Sequence, residues 1–277
     1  MLISQDTSLI NELQSQSKIK IIKQQTLRTA VCLLNIDKPG PLTDIRVRRA
    51  LQHAVNRNEI ITKALHGCGK PLFTAAPAGS LAFARGEPMY DENSATAKDL
   101  LNQAGYSQGI TLKVMAANNK PTIAVVSIVK KQLAAIGITL DVHFFTRDEI
   151  KKEIVDPKLM GASTPSGFDL WILNGWPDIF GASAHFYFLF LHSRGIFNFG
   201  INLYKDSQFD DLYAQALSAS DDHDLAKRLQ KLDRIIMEQS LVVPLCQIEL
   251  IYAMDKKIQF NPGLNDLPPR FKECSIK

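Results

Sequence analysis

Asn174, Trp176, Asp178 and His185 are the residues whose types and spacing suggest binding chemistry. Phe168 to Leu173 reads as a buried strand that runs straight into Asn-Gly-Trp-Pro-Asp at 174–178. The C-terminal end of a strand is where an α/β sheet presents groups to a ligand. A carboxylate there, Asp178, can offset the burial of a bound cation through a charge-assisted hydrogen bond. The plain alternative is a solvated loop aspartate. Trp176 reads equally as a ligand contact or as a packing anchor. His185 could line a cleft or simply pack among its aromatic neighbours, and the run Phe186-Tyr-Phe188 with Phe190 reads as core. His185 and His192 lie seven apart, which can share a helix face but is not metal-ligand spacing. No metal site and no cofactor are expected.

Catalytic patterns are absent. Gly67-Cys-Gly-Lys70 superficially looks like a phosphate-binding loop, but Pro71 stands where a Ser or Thr is required. Gly181-Ala-Ser-Ala-His185 lacks the closing glycine of a nucleophile elbow. There is no His-Glu-x-x-His and no Gly-x-Gly-x-x-Gly. Nothing forms a catalytic set, so an enzyme is not expected. Cys32, Cys68, Cys246 and Cys274 are far apart and make no Cys-x-x-Cys pair, which argues against zinc. Cys32 and Cys246 lie in apolar runs and read as buried thiols. Arg46, Arg48 and Arg49 could form an anion patch, but pairing with acidic neighbours or covering a helix surface is the simpler reading.

These candidates need elements to position them. The 277 residues are 45% hydrophobic and 22% charged, ordinary for a globular protein of one large domain or two small ones. The net charge of +4 is too mild, and too evenly spread, to point to nucleic acid. No apolar run approaches the roughly 18 residues that span a bilayer. Met1-Leu-Ile-Ser-Gln-Asp6 has no basic start and no long apolar core, so no signal peptide is read there. Taken literally that suggests a cytoplasmic chain; taken as a truncated piece it says nothing of location.

Along the chain, residues 1–28 suggest a short helix and a strand, and 29–36 a buried strand before the Pro39-Gly-Pro41 turn. Residues 67–90 are irregular. Ser94 can cap a helix that stops at Gly105. Ile110 to Val114, a helix from about Thr122 to Ile136, and Ile138 to Phe144 form a strand–helix–strand unit, which predicts neighbouring parallel strands. Thr146 can cap a short helix, and Ser207 another. A long helix carries Leu225, Leu229, Leu232, Ile235 and Ile236 on one face. Leu241 to Leu245 and Ile248 to Ala253 read as two strands, and the tail is Pro-rich. The alternation makes an α/β protein.

The stretch 42–60 carries the strongest signature. Asp44 can cap a helix whose Val47, Ala50, Leu51, Ala54 and Val55 form one apolar stripe. Asn56 can cap the next, with Glu59 placed as in a capping box, and Gly67 can stop it. The wording resembles the signature of the peptide/nickel-type (family 5) extracellular solute-binding proteins of ABC importers. Further pieces are similar in collinear order: the strand ending at Asn35, Gly67-Cys-Gly-Lys-Pro71, and Tyr90-Asp91 followed by Ala97 to Tyr106. Phe168-Asp-Leu170 with Trp176, Tyr204 to Leu212, and Val243-Pro-Leu245 continue it.

The resemblance implies a periplasmic-binding-protein-like type II lobe, α/β, with a mixed, mostly parallel sheet flanked by helices. Family members are about twice this length, and the match covers their C-terminal lobe without the N-terminal one. It implies three segments: a lead-in or crossover at 1–28, the solute-binding lobe at 29–255, and a returning tail at 256–277. Its partners would be a small peptide or related solute such as a nickel complex, the ABC permease, and the missing N-terminal lobe. An intact member would work in the periplasm or cell envelope. By resemblance, Trp176 and Asp178 would hold the α-ammonium of a peptide, with Asn174 and His185 nearby. The same fold also serves as the sensor half of transcription regulators and signalling proteins, which is the alternative reading.

Overall fold

A computed structural model describes residues 2–4, 10–84, 86, 89–150, 152, 167–176, 191, 193, 204–261 and 275–276. Its centre is a mixed sheet. The strands are β1 (Leu2–Ser4), β2 (Ile19–Leu34), β3 (Gly69–Pro71), β4 (Ile110–Ala117), β5 (Ile138–Phe145), β6 (Leu170–Trp176) and β7 (Val242–Asp255). Their spatial order is β1-β7-β2-β6-β4-β5, with β3 also on β7. A short separate pair joins β8 (Ile258–Gln259) to β9 (Ser275–Ile276).

The sheet is mixed, but its balance is the reverse of the mostly parallel one expected. β4 is parallel to β5 and to β6. The pairs β1–β7, β2–β6, β2–β7 and β3–β7 are antiparallel. The strand–helix–strand unit is the only connection whose direction the sequence pattern states, and it is parallel as expected. The long β2 and β7 meet only through tertiary pairing, which leaves no mark on local periodicity.

Apolar residues alternate across the sheet, as a strand covered on both faces requires. Ala30, Cys32, Leu34, Leu170 and Ile172 belong to one core; Val31, Leu33, Trp171 and Leu173 belong to the other. The first core is roofed by α2 (Ile45–Ala54), α3 (Arg57–Lys63), α4 (Ser94–Gln103) and α5 (Lys120–Ala134). The second is roofed by α7 (Ser207–Leu217), α8 (Asp222–Glu238) and the irregular segment through Ala75, Ala82 and Tyr90. Two short helices are also described: α1 (Ile10–Gln14) and α6 (Arg147–Glu149), the latter closed by a capping box between Thr146 and Glu149.

Local chemistry explains the helix starts. Asp44 accepts the Arg46 backbone N–H at 2.8 Å, and Asn56 accepts that of Glu59 at 2.7 Å. The expected capping box at Asn56 does not close. Glu59 turns instead to Lys63 and Gln132, and the Asn56 N–H donates to Gln132 Oε1 at 3.2 Å. Two caps sit one residue earlier than read: Asn93 rather than Ser94, and Asp206 rather than Ser207, because the side chain that accepts the free N–H groups defines the cap. The two strands read at 241–253 are one. Gln247, between the two, lies in register with Thr29 and spends its amide on neighbouring backbone.

β2 and β7 are 16 and 14 residues long. At ~3.3 Å per residue the longer spans roughly 50 Å. One half of their ladder, Thr29 to Leu33 against Val242 to Gln247, lies in the main sheet. The other, Ile19 to Gln25 against Glu249 to Asp255, runs beyond it with β1 at its edge. Between them β2 takes four steps, Gln25 to Thr29, where β7 takes two, a bulge that raises the local twist. The boundary drawn at 28/29 falls at this bulge, inside one continuous strand.

Candidate functional site

The site starts from the end of β6. Asn174 and Trp176 lie within the strand, not in the loop expected after Leu173. Asn174 stands opposite Ala30 and Trp176 opposite Thr29, with Gly175 as the extra residue of a second bulge. Gly175 has φ 75, a conformation that suits glycine because it lacks a Cβ. Asn174 is half-buried, and its Oδ1 is buried with no hydrogen-bond partner. A buried acceptor left unpaired costs on the order of 1–3 kcal/mol, which a donor arriving with a ligand would relieve. Asp178 and His185 lie outside the described residues.

Trp176 is one end of a rung that continues through Thr29 to Gln247. Thr29 is 1% exposed, and its Oγ1 is buried and unpartnered. Gln247 is also buried. Its Nε2 donates to the Thr26 and Ala78 carbonyls at 2.6 and 2.9 Å, and its Oε1 accepts the Ala78 N–H at 3.1 Å. Thr26 Oγ1 donates to the Ile248 carbonyl at 2.8 Å and accepts the Arg28 N–H at 3.1 Å. Arg28 Nη1 donates to the Gly175 carbonyl at 3.1 Å. Buried side-chain bonds therefore pin the bulge of β2 from both sides.

Residue patterning missed Arg28, Thr29 and Gln247. Their neighbourhood reads as an unremarkable polar lead-in, and β7 is more than 200 residues away in sequence. A polar residue inside an otherwise apolar strand, Gln247, was the one available signal.

The signature helices sit apart from this rung. Arg48 is buried and donates to the Leu42, Thr43 and Gln239 carbonyls. Arg57 donates to the Leu72 and Pro244 carbonyls at 2.8 and 2.9 Å and lies over the Phe73 ring. Burial pulls its guanidinium down to about 10. Arg46 forks onto Asp44, holding that carboxyl below its usual range. These arginines fasten the chain to itself. Cys32, Cys68 and Cys246 are free, and Cys274 lies outside the described residues. Burial pushes the Cys32 and Cys246 thiols up to about 12, so neither supplies a thiolate near neutral pH. Among the described residues, no three His, Cys, Asp or Glu side chains are grouped to hold a metal ion.

Residues 2–198 match the family described as "Bacterial extracellular solute-binding proteins, family 5 Middle". The chain belongs to this family. Among relatives of family 5, the glutathione-binding protein GsiB of Escherichia coli is 24% identical over 262 residues. That match takes in 89% of this chain and 47% of GsiB. A dipeptide-binding protein from Pseudoalteromonas sp., solved in complex with Met-Leu, superposes with a TM-score of 0.79 at 20% identity. It covers 98% of this chain and 52% of that one. NikA from Staphylococcus aureus, solved with a nickel–L-histidine complex, gives 0.74 at 18% identity over 94% and 53% of the two chains. The fold is thus that of the type II periplasmic binding proteins, and the chain spans about half the length of the relatives it matches.

Proposed function

We propose that the chain is the solute-reading half of an ABC importer's binding protein, with the C-terminal end of β6 facing the solute. The observation that carries this is the Asn174 Oδ1, a buried acceptor without a donor at the strand end where such sheets present ligand groups. The solute is a short peptide or a related amino-acid derivative. The relatives' ligands are glutathione, a dipeptide and a nickel–histidine complex. These share amine or amide nitrogens and carboxylates. Trp176, Asp178 and His185 join Asn174 in this reading by their place in the sequence, with Asp178 meeting the ammonium through a charge-assisted bond. Closure over the solute would present it to a membrane permease, outside the cytoplasm. The chain performs no chemistry of its own.

Native mass spectrometry of the purified protein, followed by calorimetry with dipeptides and tripeptides, tests this. The expected result is co-purified peptide, and loss of about tenfold or more in affinity on Asn174→Ala, or some 1.4 kcal/mol. Tightly bound metal without any peptide sinks the peptide assignment.

A further inference from the structure

We infer that this chain forms a two-fold dimer in which β5 of one copy pairs antiparallel with β5 of a second, centred on Val142. This pairing uses the outer edge of the sheet, not the end of β6, and stands apart from solute binding.

β5 ends the strand order of the sheet, and among the described residues β4 is the strand it pairs with. The Gly137 carbonyl accepts the Ile110 N–H, and the Phe145 carbonyl accepts that of Asn118. Backbone groups alternate sides along a strand, so the odd-numbered residues of β5 turn theirs toward β4. Ile138, Leu140, Val142 and Phe144 turn theirs outward, and among the described residues these outward groups have no partner. Such a row of free N–H and C=O groups is a template for another strand. β5 is eight residues long, holds no proline and keeps its register on β4 without a shift, so none of the usual devices shortens or bends this edge.

Asp141 is exposed in the middle of β5, where a charge ordinarily deters pairing. In this strand the charge has its own complement two residues on. A two-fold axis through Val142, perpendicular to the sheet, sets Leu140 opposite the partner's Phe144 and Asp141 opposite the partner's His143. Each contact occurs twice, and each face of the sheet stays on its own side. Leu140 and Phe144 continue the first core, while Asp141 and His143 lie on the other face. The even-numbered residues exchange the backbone bonds. Asp141 and His143 then fall at non-hydrogen-bonded positions, where opposed Cα atoms approach to ~4.5 Å and side chains are closest. His143 donates from a ring nitrogen whether neutral or charged. Its ring rests against Phe145, centroids 4.3 Å apart, which holds it beside the strand. Both side chains are exposed, and among the described residues neither has a hydrogen bond or an ion pair, Lys113 opposite Asp141 on β4 included. Moving the axis by one residue sets Asp141 against the partner's Asp141, or His143 against the partner's His143. Charge therefore selects the register centred on Val142.

Sedimentation velocity and light scattering on the purified chain, from micromolar to near-millimolar concentration, test this. Wild type is expected to pass reversibly from monomer to dimer and to stop there, because a closed two-fold pair uses up the edge. His143→Asp opposes carboxylates at both contacts and should weaken the dimer by about tenfold or more. Asp141→His combined with His143→Asp rebuilds the pair in reverse order and should recover wild-type strength to within about threefold. Val142→Pro removes the central outward N–H, leaves the ladder to β4 complete and should give a monomer. Circular dichroism and melting check that each variant folds; if Val142→Pro does not, the exposed charge variants decide. A monomer at every concentration overturns the inference. So does assembly beyond the dimer, a dimer unmoved by His143→Asp, or a double variant as weak as the single one.

Discussion

Buried charge is the most consequential feature at the scale of single residues. Arg48 and Arg57 are satisfied by backbone carbonyls, and their place in the family signature follows from that task. Asp233 on α8 is different. It is 1% exposed, and its Oδ1 accepts the Ala76 N–H at 2.7 Å. A cavity of about 180 Å³ beside it is lined by Phe73, Thr74, Met89, Arg234 and Met237. Burial raises its carboxyl from 3.8 to about 7, against the lowering effect of the Ala76 and Ala75 N–H groups. The folded protein therefore holds a proton at pH values where the unfolded chain has already released it. The stabilising contribution is fully present below about pH 4 and is lost as pH rises through about 7. Asp233→Asn keeps an acceptor for Ala76 and removes the ionisation. It should raise stability at pH 8 by a few kcal/mol at most, or several degrees of Tm. At pH 4 it should change little. Melting curves of both proteins at the two pH values check this, and an equal difference at both would contradict it. The apolar stripe and caps of the signature helices are legible in the sequence. Asp233 is not, because a single acid on a helix otherwise rich in charge looks like any solvated side chain.

At the scale of elements, the Phe168-Asp-Leu170 motif explains how β6 is held in the sheet. Asp169 lies just before the strand. Its backbone N–H donates to the Lys113 carbonyl, and its carbonyl accepts the Asn35 N–H, both at 2.8 Å. Its Oδ2 accepts the N–H of Lys113 on β4 at 2.7 Å, in the place of a carbonyl from a neighbouring strand. Its Oδ1 meets Lys38 Nζ at 2.6 Å. One side chain thus joins β4, β6 and the segment after β2. Asp169→Ala should destabilise the protein by roughly 2–4 kcal/mol, since it leaves a backbone N–H and an ammonium short of an acceptor. Lys38→Met should cost clearly less, because the lysine is the more exposed partner. Urea titrations of the two variants rank them, and faster amide exchange at Lys113 in Asp169→Ala alone locates the cause. The reverse ranking would mean that the ion pair, not the backbone bond, is what matters. The sequence shows Phe-Asp ahead of a strand but not which groups the carboxylate joins, because Lys113 and Lys38 lie 56 and 131 residues away.

At the scale of the whole molecule, the division along β2 and β7 matters more than any helix. Nearer the main sheet, their side chains enter two broad cores covered by helices on both faces. Beyond the bulge Leu250 to Met254 of β7 stay buried, but residues 19–25 of β2 are half-buried or exposed. Among the described residues, Ile21 and Ile251 pack with Ile10 and Cys68, and Ile22, Leu250, Tyr252 and Met254 pack with Ile258 and Phe260. The pairing is antiparallel in both halves, so what changes along the ladder is the exposure of the β2 strand that shares it. Protection against exchange follows that exposure, since sparsely covered segments open locally without global unfolding. Amides of residues 19–25 and 249–255 should therefore exchange through local opening, with little dependence on denaturant. Those of 30–34 and 242–246 should exchange only with global unfolding, and the break should fall at the Thr26–Gln247 junction. Peptide-resolved hydrogen exchange at two denaturant concentrations measures it. The bulge was invisible to sequence patterning, which sees β2 as a polar lead-in joined to a buried strand. Uniform protection along both strands would mean that the outer ladder is part of the same cooperative unit.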